Sequence, residues 1–549
     1  MVVSTSVSEG ARTTRLDLWA IVPAAFFAVT AAVGAVRFFS PVPFWDMWDG
    51  TVLFHFERKL RGVSTFFEQA NEHRILWSRI LFWADYKFFG ALNRLTVATN
   101  LVLMAALWIA LASAARQLAG PNRRAGFLAA MLVALPCFSW LQYENITWGY
   151  QSQFFLAYLL PLLAFMCMAR WMREGREAWF VGAVALAVAS SVAMANGLLA
   201  LPLLVVMLLV NGRFGWRRLL LLGSVTAALF ALWFHGYSFR SHPVAPLSAQ
   251  AQLILTFLGA PGHFLFRSEV LGFGLGAAVI ASCAYFVWAW AAGRTRDPLY
   301  SGLVLFLVYV CAAGAAVARG RAFDDYHMTL TSRYETPVLL AYAAIALMYM
   351  HLGRHRVATP AVLATVLVSS TVILVETQMT AVGPAGPQQV AQRMHAALAL
   401  NLGVRDSETT KAIYPADEPA QVTNVLQRGQ MARDANLGVF ALPALQATRS
   451  ALGKTPEALG LVPCEGKVDL TYDVAADPKF QRISGWTFDA ARQSVPSAAF
   501  IVSNGVVVGV GLTGRERPDV ERAKPLAVRA GFGGYMWTGT TDARMYCAK

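Results

Sequence analysis

The feature that most constrains this chain is a recurring one: apolar runs of helix-spanning length, separated by short clusters of arginine. Crossing about 30 Å of hydrocarbon takes roughly 17–25 residues of helix, and several runs reach that length. The clusters Arg116, Arg123 and Arg124; Arg170, Arg173 and Arg176; Arg213, Arg217 and Arg218; Arg294 and Arg296; and Arg354 and Arg356 fall between runs. Basic residues so placed mark the cytoplasmic face. With 56% hydrophobic and 14% charged residues and a mean hydropathy of +0.48, the chain is not an ordinary soluble globule. Its net charge of +14 resides in the clusters and not on one folded face, so the charge reflects topology and implies no nucleic-acid partner.

Alternating the clusters between runs predicts a polytopic α-helical membrane protein with about 11 transmembrane helices, N-terminus cytoplasmic and C-terminus outside. A short cytoplasmic segment, 1–17, precedes a retained signal-anchor span at 18–36, and a first external loop runs over 37–94. Within that loop, 75–90 is apolar but interrupted by Arg79, Asp85 and Lys87, as for a helix lying along the interface. The apolar stretch 179–210 is flanked by basic clusters at both ends, so two short helices turning near Ala195-Asn196-Gly197 are expected. The segment 253–266 is expected to be re-entrant or interfacial. Gly272, Gly274 and Gly276 superficially resemble a nucleotide loop, but without a preceding strand they predict close helix packing.

The membrane domain extends over 18–376. A helical linker region, 377–461, and a small extracytoplasmic α+β or β-sandwich domain, 462–549, follow it. Asn504-Gly505 between β-rich runs signals a hairpin. Cys137, Cys167, Cys283 and Cys311 lie in apolar runs, whereas Cys464 and Cys547 bracket the last domain and are expected to pair as a disulfide around roughly 80 residues.

Cytoplasmic loops are too short to form a site, so the external acids carry the chemistry. Asp46 and Asp49, at i and i+3, sit in Pro43-Phe44-Trp45-Asp46-Met47-Trp48-Asp49 and suit a general base or, together, a divalent cation. The structural alternative makes one of them a helix cap and Trp45 and Trp48 interfacial aromatics. Asn71-Glu72-His73-Arg74 offers an acid, a titratable ring and a cation suited to phosphate, or else a plain helix start capped by Asn71. Glu144, Trp148 and Gln151, in a loop of aromatics and amides, suit sugar binding. The later loop holds Asp324, Asp325, Arg333, Tyr334 and Glu335, with Arg333 at headgroup height for a phosphate or as a snorkelling anchor. No zinc-ligand spacing, Walker motif or nucleophile elbow occurs, and no cofactor is indicated beyond the divalent cation.

Many spans, acids just after the first span, an interfacial segment and an exported C-terminal domain together resemble the GT-C superfamily of membrane glycosyltransferases over about 18–375. The resemblance implies transfer of a sugar from a polyprenyl-phosphate donor to a cell-envelope glycan or lipid acceptor, on the outer face of a bacterial inner membrane. Asp46 matches the first-loop catalytic acid, Asp49 is the alternative, and Glu72 is a further catalytic candidate. His73, Arg74, Glu144, Trp148, Gln151, Asp325, Arg333 and Tyr334 would bind substrate. The first loop lacks an Asp-X-Asp, since two residues separate Asp46 from Asp49. A transporter or flippase of lipid-linked saccharides, or a non-catalytic envelope assembly protein, are the competing expectations.

Overall fold

Uninterrupted apolar sequence leaves the backbone only itself to hydrogen-bond, and the chain satisfies that demand with helices. The structure, a computed structural model, describes residues 7–212, 215–239, 244–321, 326–353, 359–415 and 419–548. Among them, nine helical stretches are long and apolar enough to cross a membrane, the first at Trp19–Arg37 and the last beginning at Pro360. The stretch 179–210 is two shorter helices, Glu177–Ser191 and Ala200–Val210, joined through a 3-10 turn at Ala195–Leu199, where a turn is expected.

The chain divides into two units. The first comprises Met1–Ala35, Phe66–Ser78 and Val97–Val382. Inside it, Gln378 ties distant spans together: its Nε2 donates to Thr30 Oγ1 at 2.8 Å, and its Oε1 accepts from the Trp140 N–H at 2.8 Å. The segment expected to be re-entrant forms two short helices, Leu247–Leu258 and Ala260–Phe266, packed against the helix Glu269–Ala291. A Cβ on Gly276 would stand 2.2 Å from the Leu255 carbonyl oxygen, and one on Gly272 would strike the His263 ring. Gly272 and Gly276 therefore serve close packing, as small residues do at helix contacts.

The second unit comprises Val36–Thr65, Arg79–Thr96 and Gly383–Lys549. Seven strands, β1 (Leu461–Pro463), β2 (Glu465–Asp473), β3 (Phe480–Phe488), β4 (Ala498–Ser503), β5 (Val506–Arg515), β6 (Gly531–Trp537) and β7 (Arg544–Ala548), pair antiparallel in the order β1-β7-β4-β5-β6-β3-β2. Asn504 and Gly505, both at positive φ, make the β4–β5 turn that the sequence signals. The two edge strands, β1 and β2, are consecutive pieces of one run broken at Cys464, so the sheet rolls back on itself. Ile483, Ile501, Phe532 and Met536 fill one face. Phe500, Val510, Leu512 and Tyr535 on the other share a core with Ala396, Leu398 and Leu400 of the helix Ala385–Leu402. Of the two expected arrangements, α+β and β-sandwich, the sandwich is corrected and the α+β one is found: there is one rolled sheet with helices on its outer face. Both faces of β4 and β5 are apolar, and helices cover the face that a second sheet would have covered.

The first loop also belongs to this core. Trp48 is fully buried, clustered with Val42, Val52 and residues of the C-terminal helices. The reading of Trp48 as an interfacial aromatic is corrected by that burial. A disulfide joins Cys464 to Cys547, with Cα atoms 5.9 Å apart, and fastens the start of β2 to β7. Replacing both cysteines by serine is expected to lower stability by about 2–4 kcal/mol, because the cross-link constrains a long loop in the unfolded chain. Denaturant unfolding of the full-length protein followed by tryptophan emission checks this, and equal midpoints for the two proteins would refute it.

Candidate functional site

Asn71 and Glu72 form the tip of a tight turn, and not the helix start that the alternative reading expects. Ala70 and His73 exchange backbone hydrogen bonds of 2.8 and 2.9 Å, and Asn71 takes a left-handed φ of 51°. The following helix begins only at Leu76. The turn is held tightly within the first unit. Arg74 donates to the carbonyls of Trp233 (2.9 Å), His235 (2.8 Å) and Phe67, with its guanidinium 5.8 Å from the Trp233 ring centroid. Gln69 exchanges hydrogen bonds with Ser238, donating to its carbonyl and accepting its N–H. The His73 Nδ1 accepts from the Ala195 N–H at 3.3 Å. Burial lowers the His73 pKa to about 4, with the Glu72 carboxylate opposing, so the ring is neutral at pH 7.

Arg74, assigned to phosphate from sequence, is therefore a clamp on three carbonyls. Glu72 differs from its neighbours. Its carbonyl accepts from the Tyr237 hydroxyl at 3.3 Å, but its carboxylate has no hydrogen bond or ion pair among the described residues. The motif thus presents, on a rigid mount, an acid with no hydrogen bond or ion pair among the described residues.

A second polar group lies in the same unit, where the loop carrying Glu144 meets the one carrying Arg333. Ser332 donates to the Leu141 carbonyl (2.6 Å) and accepts from the Glu144 N–H (3.1 Å). The Asn145 amide donates at 2.7 Å to both the Arg333 carbonyl and Thr336 Oγ1, and Thr336 donates to Gln142 at 2.6 Å. Asn100 donates to the Trp148 carbonyl at 3.0 Å, and Trp148 stacks on Tyr150. Tyr334 is buried, edge-on to Phe154 and Phe257. Ser78 and Ser152 are 2.8 Å apart, linking the start of the helix after Arg74 to the end of the Glu144 loop. Glu144, Trp148, Gln151, Arg333 and Tyr334 are thus brought together, while Asp325, with Asp324, lies outside the described residues.

This knot leaves acceptors over. Asn100 Oδ1, Asn145 Oδ1, Gln151 Oε1 and both carboxyl oxygens of Glu335 are buried without a hydrogen-bond donor among the described residues. Glu335, fully inaccessible in the first turn of its helix, is the residue that sequence reasoning undervalued. The signal was present: Pro337 two residues later fits a helical first turn, which moves Glu335 from the loop onto the helix.

In the second unit, Asp49 is ion-paired with Arg428, and Trp45 at positive φ donates its N–H to the Ile413 carbonyl at 2.8 Å. Trp48–Leu53 is a π-helical turn, and the Asp46 carbonyl accepts from the Gly50 N–H at 2.7 Å. Asp49 is thereby accounted for as a structural contact. Among the described residues no three of His, Cys, Asp or Glu gather to hold a metal ion. No protein-family model and no curated protein sequence matches this chain.

Arg74→Lys is expected to destabilise by about 1–3 kcal/mol, since one ammonium cannot serve three divergent carbonyls. Chemical denaturation of the purified protein measures it, and an unchanged midpoint would contradict the clamp. His73 gives a pH signature. Its folded pKa of about 4 lies below the ordinary 6.5, so the unfolded chain binds more protons between those values. Its contribution is complete above about pH 6.5 and is lost as pH falls towards 4. Thermal midpoints measured from pH 7 to 4 should fall, and fall less in His73→Asn. His55 and His395, also lowered, preserve part of the slope.

Proposed function

We propose that this chain is a membrane glycosyltransferase of GT-C type that moves a sugar from a polyprenyl-phosphate donor to a cell-envelope glycan or lipid. In this reading the two short helices of 179–210 complete about eleven crossings, the protein lies in a bacterial inner membrane, and the second unit is extracytoplasmic. The observation that carries the proposal is the set of buried acceptor oxygens on Asn145, Gln151 and Glu335. Sugar hydroxyls are donors, and a pocket that recognises them must present acceptors that the protein does not itself satisfy. Trp148 and Tyr150, buried and stacked on each other, belong to the same loop as Asn145 and Gln151.

In the reaction a carboxylate takes the proton of the acceptor hydroxyl. The oxygen attacks the anomeric carbon, and the bond from that carbon to the phosphate oxygen breaks, releasing polyprenyl phosphate. Asp46 is a candidate base through its match to the first-loop acid alone, and Glu72, in the first unit with Arg333, through a carboxylate that has no hydrogen bond or ion pair among the described residues. Arg333 supplies the cation for the departing phosphate. Glycan transfer assayed in folded Asp46→Asn and Glu72→Gln proteins should fall by about 10²-fold or more in whichever carries the base. Wild-type rates in both would sink the assignment.

Glu335 favours a second reading, a transporter or flippase of lipid-linked saccharides, because a fully buried acid on a membrane-length helix is a hallmark of transport sites. Translocation of a fluorescent lipid-linked saccharide across proteoliposomes separates the two. Loss in Glu335→Gln with unimpaired translocation in Glu72→Gln and Asp46→Asn would favour transport.

A further inference from the structure

The second unit holds a cavity of about 500 Å³ between one face of the rolled sheet and the helical segments that cover it. Among the described residues its wall carries three cationic side chains, Lys411, Arg482 and Arg515, and one acid, Glu408. Behind the wall, Asp406 is buried, accepts from the Tyr535 hydroxyl at 2.9 Å and pairs with Arg482 at 3.2 Å. Even with Asp406 set against Arg482 and Glu408 against Lys411, the Arg515 guanidinium has no carboxylate within ion-pair distance among the described residues.

Arg515 is nonetheless fixed in place. Its Nη2 donates to His395 Nδ1 at 2.9 Å. His395 is 4% exposed, and its Nε2 faces the Gly534 carbonyl at 3.4 Å. Burial, with Arg515 and Arg482 nearby, pushes the His395 pKa down to about 3, so the ring is neutral and its Nδ1 is an acceptor. Beneath the guanidinium lies Gly533, where a Cβ would fall 2.5 Å from Nη2 and 2.6 Å from Cζ. The strand has been cleared to seat this one cation. A half-buried arginine held by a neutral ring, with no carboxylate partner among the described residues, is poised for an anion.

The remaining wall is suited to more than a bare anion. Gln392 and Ser484 line it, and neither side chain has a hydrogen bond among the described residues. Tyr472, about half exposed at 54%, offers a ring face. A volume of this size fits a ligand of sugar dimensions. We propose that this cavity binds an anionic saccharide, with its phosphate or carboxylate on Arg515 and Lys411 and its ring against Tyr472. The site lies wholly in the second unit and depends on no transfer reaction.

The test is calorimetric titration of the full-length protein in detergent with glucose 6-phosphate, glucuronate, glucose and inorganic phosphate. The charged sugars should bind at least about tenfold more tightly than glucose, and glucose 6-phosphate more tightly than inorganic phosphate. Lys411→Gln, at an exposed position, should weaken the charged sugars about tenfold while leaving the thermal midpoint in place. Arg515→Gln should weaken them further, its folding checked in the same scan. Equal binding of glucose and the charged sugars, no binding below about 10 mM, or full affinity in Lys411→Gln would each overturn the proposal. Inorganic phosphate binding as tightly as glucose 6-phosphate would overturn its saccharide part.

Discussion

A long apolar run offers its backbone N–H and C=O groups no polar side chains to pair with, so each must find a partner in the backbone itself, and the rest of the first unit follows from that requirement. Long helices meet it by themselves. Wherever a helix breaks, side chains have to complete the pairing. The breaks at Ser139–Gln151 and Ser332–Tyr334 therefore collect Ser, Asn, Gln and Thr, and their hydrogen bonds to Leu141, Cys137 and Arg333 carbonyls are the repair. Concentrating polar side chains to mend a backbone also builds a place where a polar ligand can be recognised.

The second unit obeys a different rule. Its sheet curls until both faces are covered, one by its own interior and one by helices, and Trp48 from the first loop plugs the same core. The loop that looks most chemical in the sequence is therefore also structural. Asp49 is drawn to Arg428, the Phe44 ring lies 4.0 Å from the Arg393 guanidinium, and Trp45 is anchored on Ile413. An aspartate beside tryptophans does not announce which of these roles it has until its partner is seen.

What was legible in the sequence was what local chemistry decides. The span-length helices, the turn near Ala195–Gly197, the glycine packing at Gly272 and Gly276, and the Asn504-Gly505 hairpin depend on residues close in the chain or on one uniform demand. What was not legible depends on distant partners. Arg74 reads as a phosphate ligand because the carbonyls that occupy it, on Trp233 and His235, lie about 160 positions away. The rolled sheet was missed because strand alternation gives a period and not a closure. The cavity beside Arg515 combines residues of two helices, the turn after the second and three strands, and no window of sequence contains it.

The acids show how environment sorts function from support when residue type does not. Asp85 accepts from the N–H groups of Asn93 and Leu95 at 2.9 and 2.8 Å and caps the helix that follows. Asp49 and Asp406 each have an arginine. In all three the carboxylate is repaid by a partner inside the fold, so its presence needs no ligand. Glu335 is buried with neither oxygen met among the described residues, and an unmet buried carboxyl destabilises the protein that carries it. Replacement by an apolar side chain would relieve that penalty at once. Among the described residues Glu335 therefore differs from Asp85, Asp49 and Asp406 in that no hydrogen-bond donor accounts for its place in the fold.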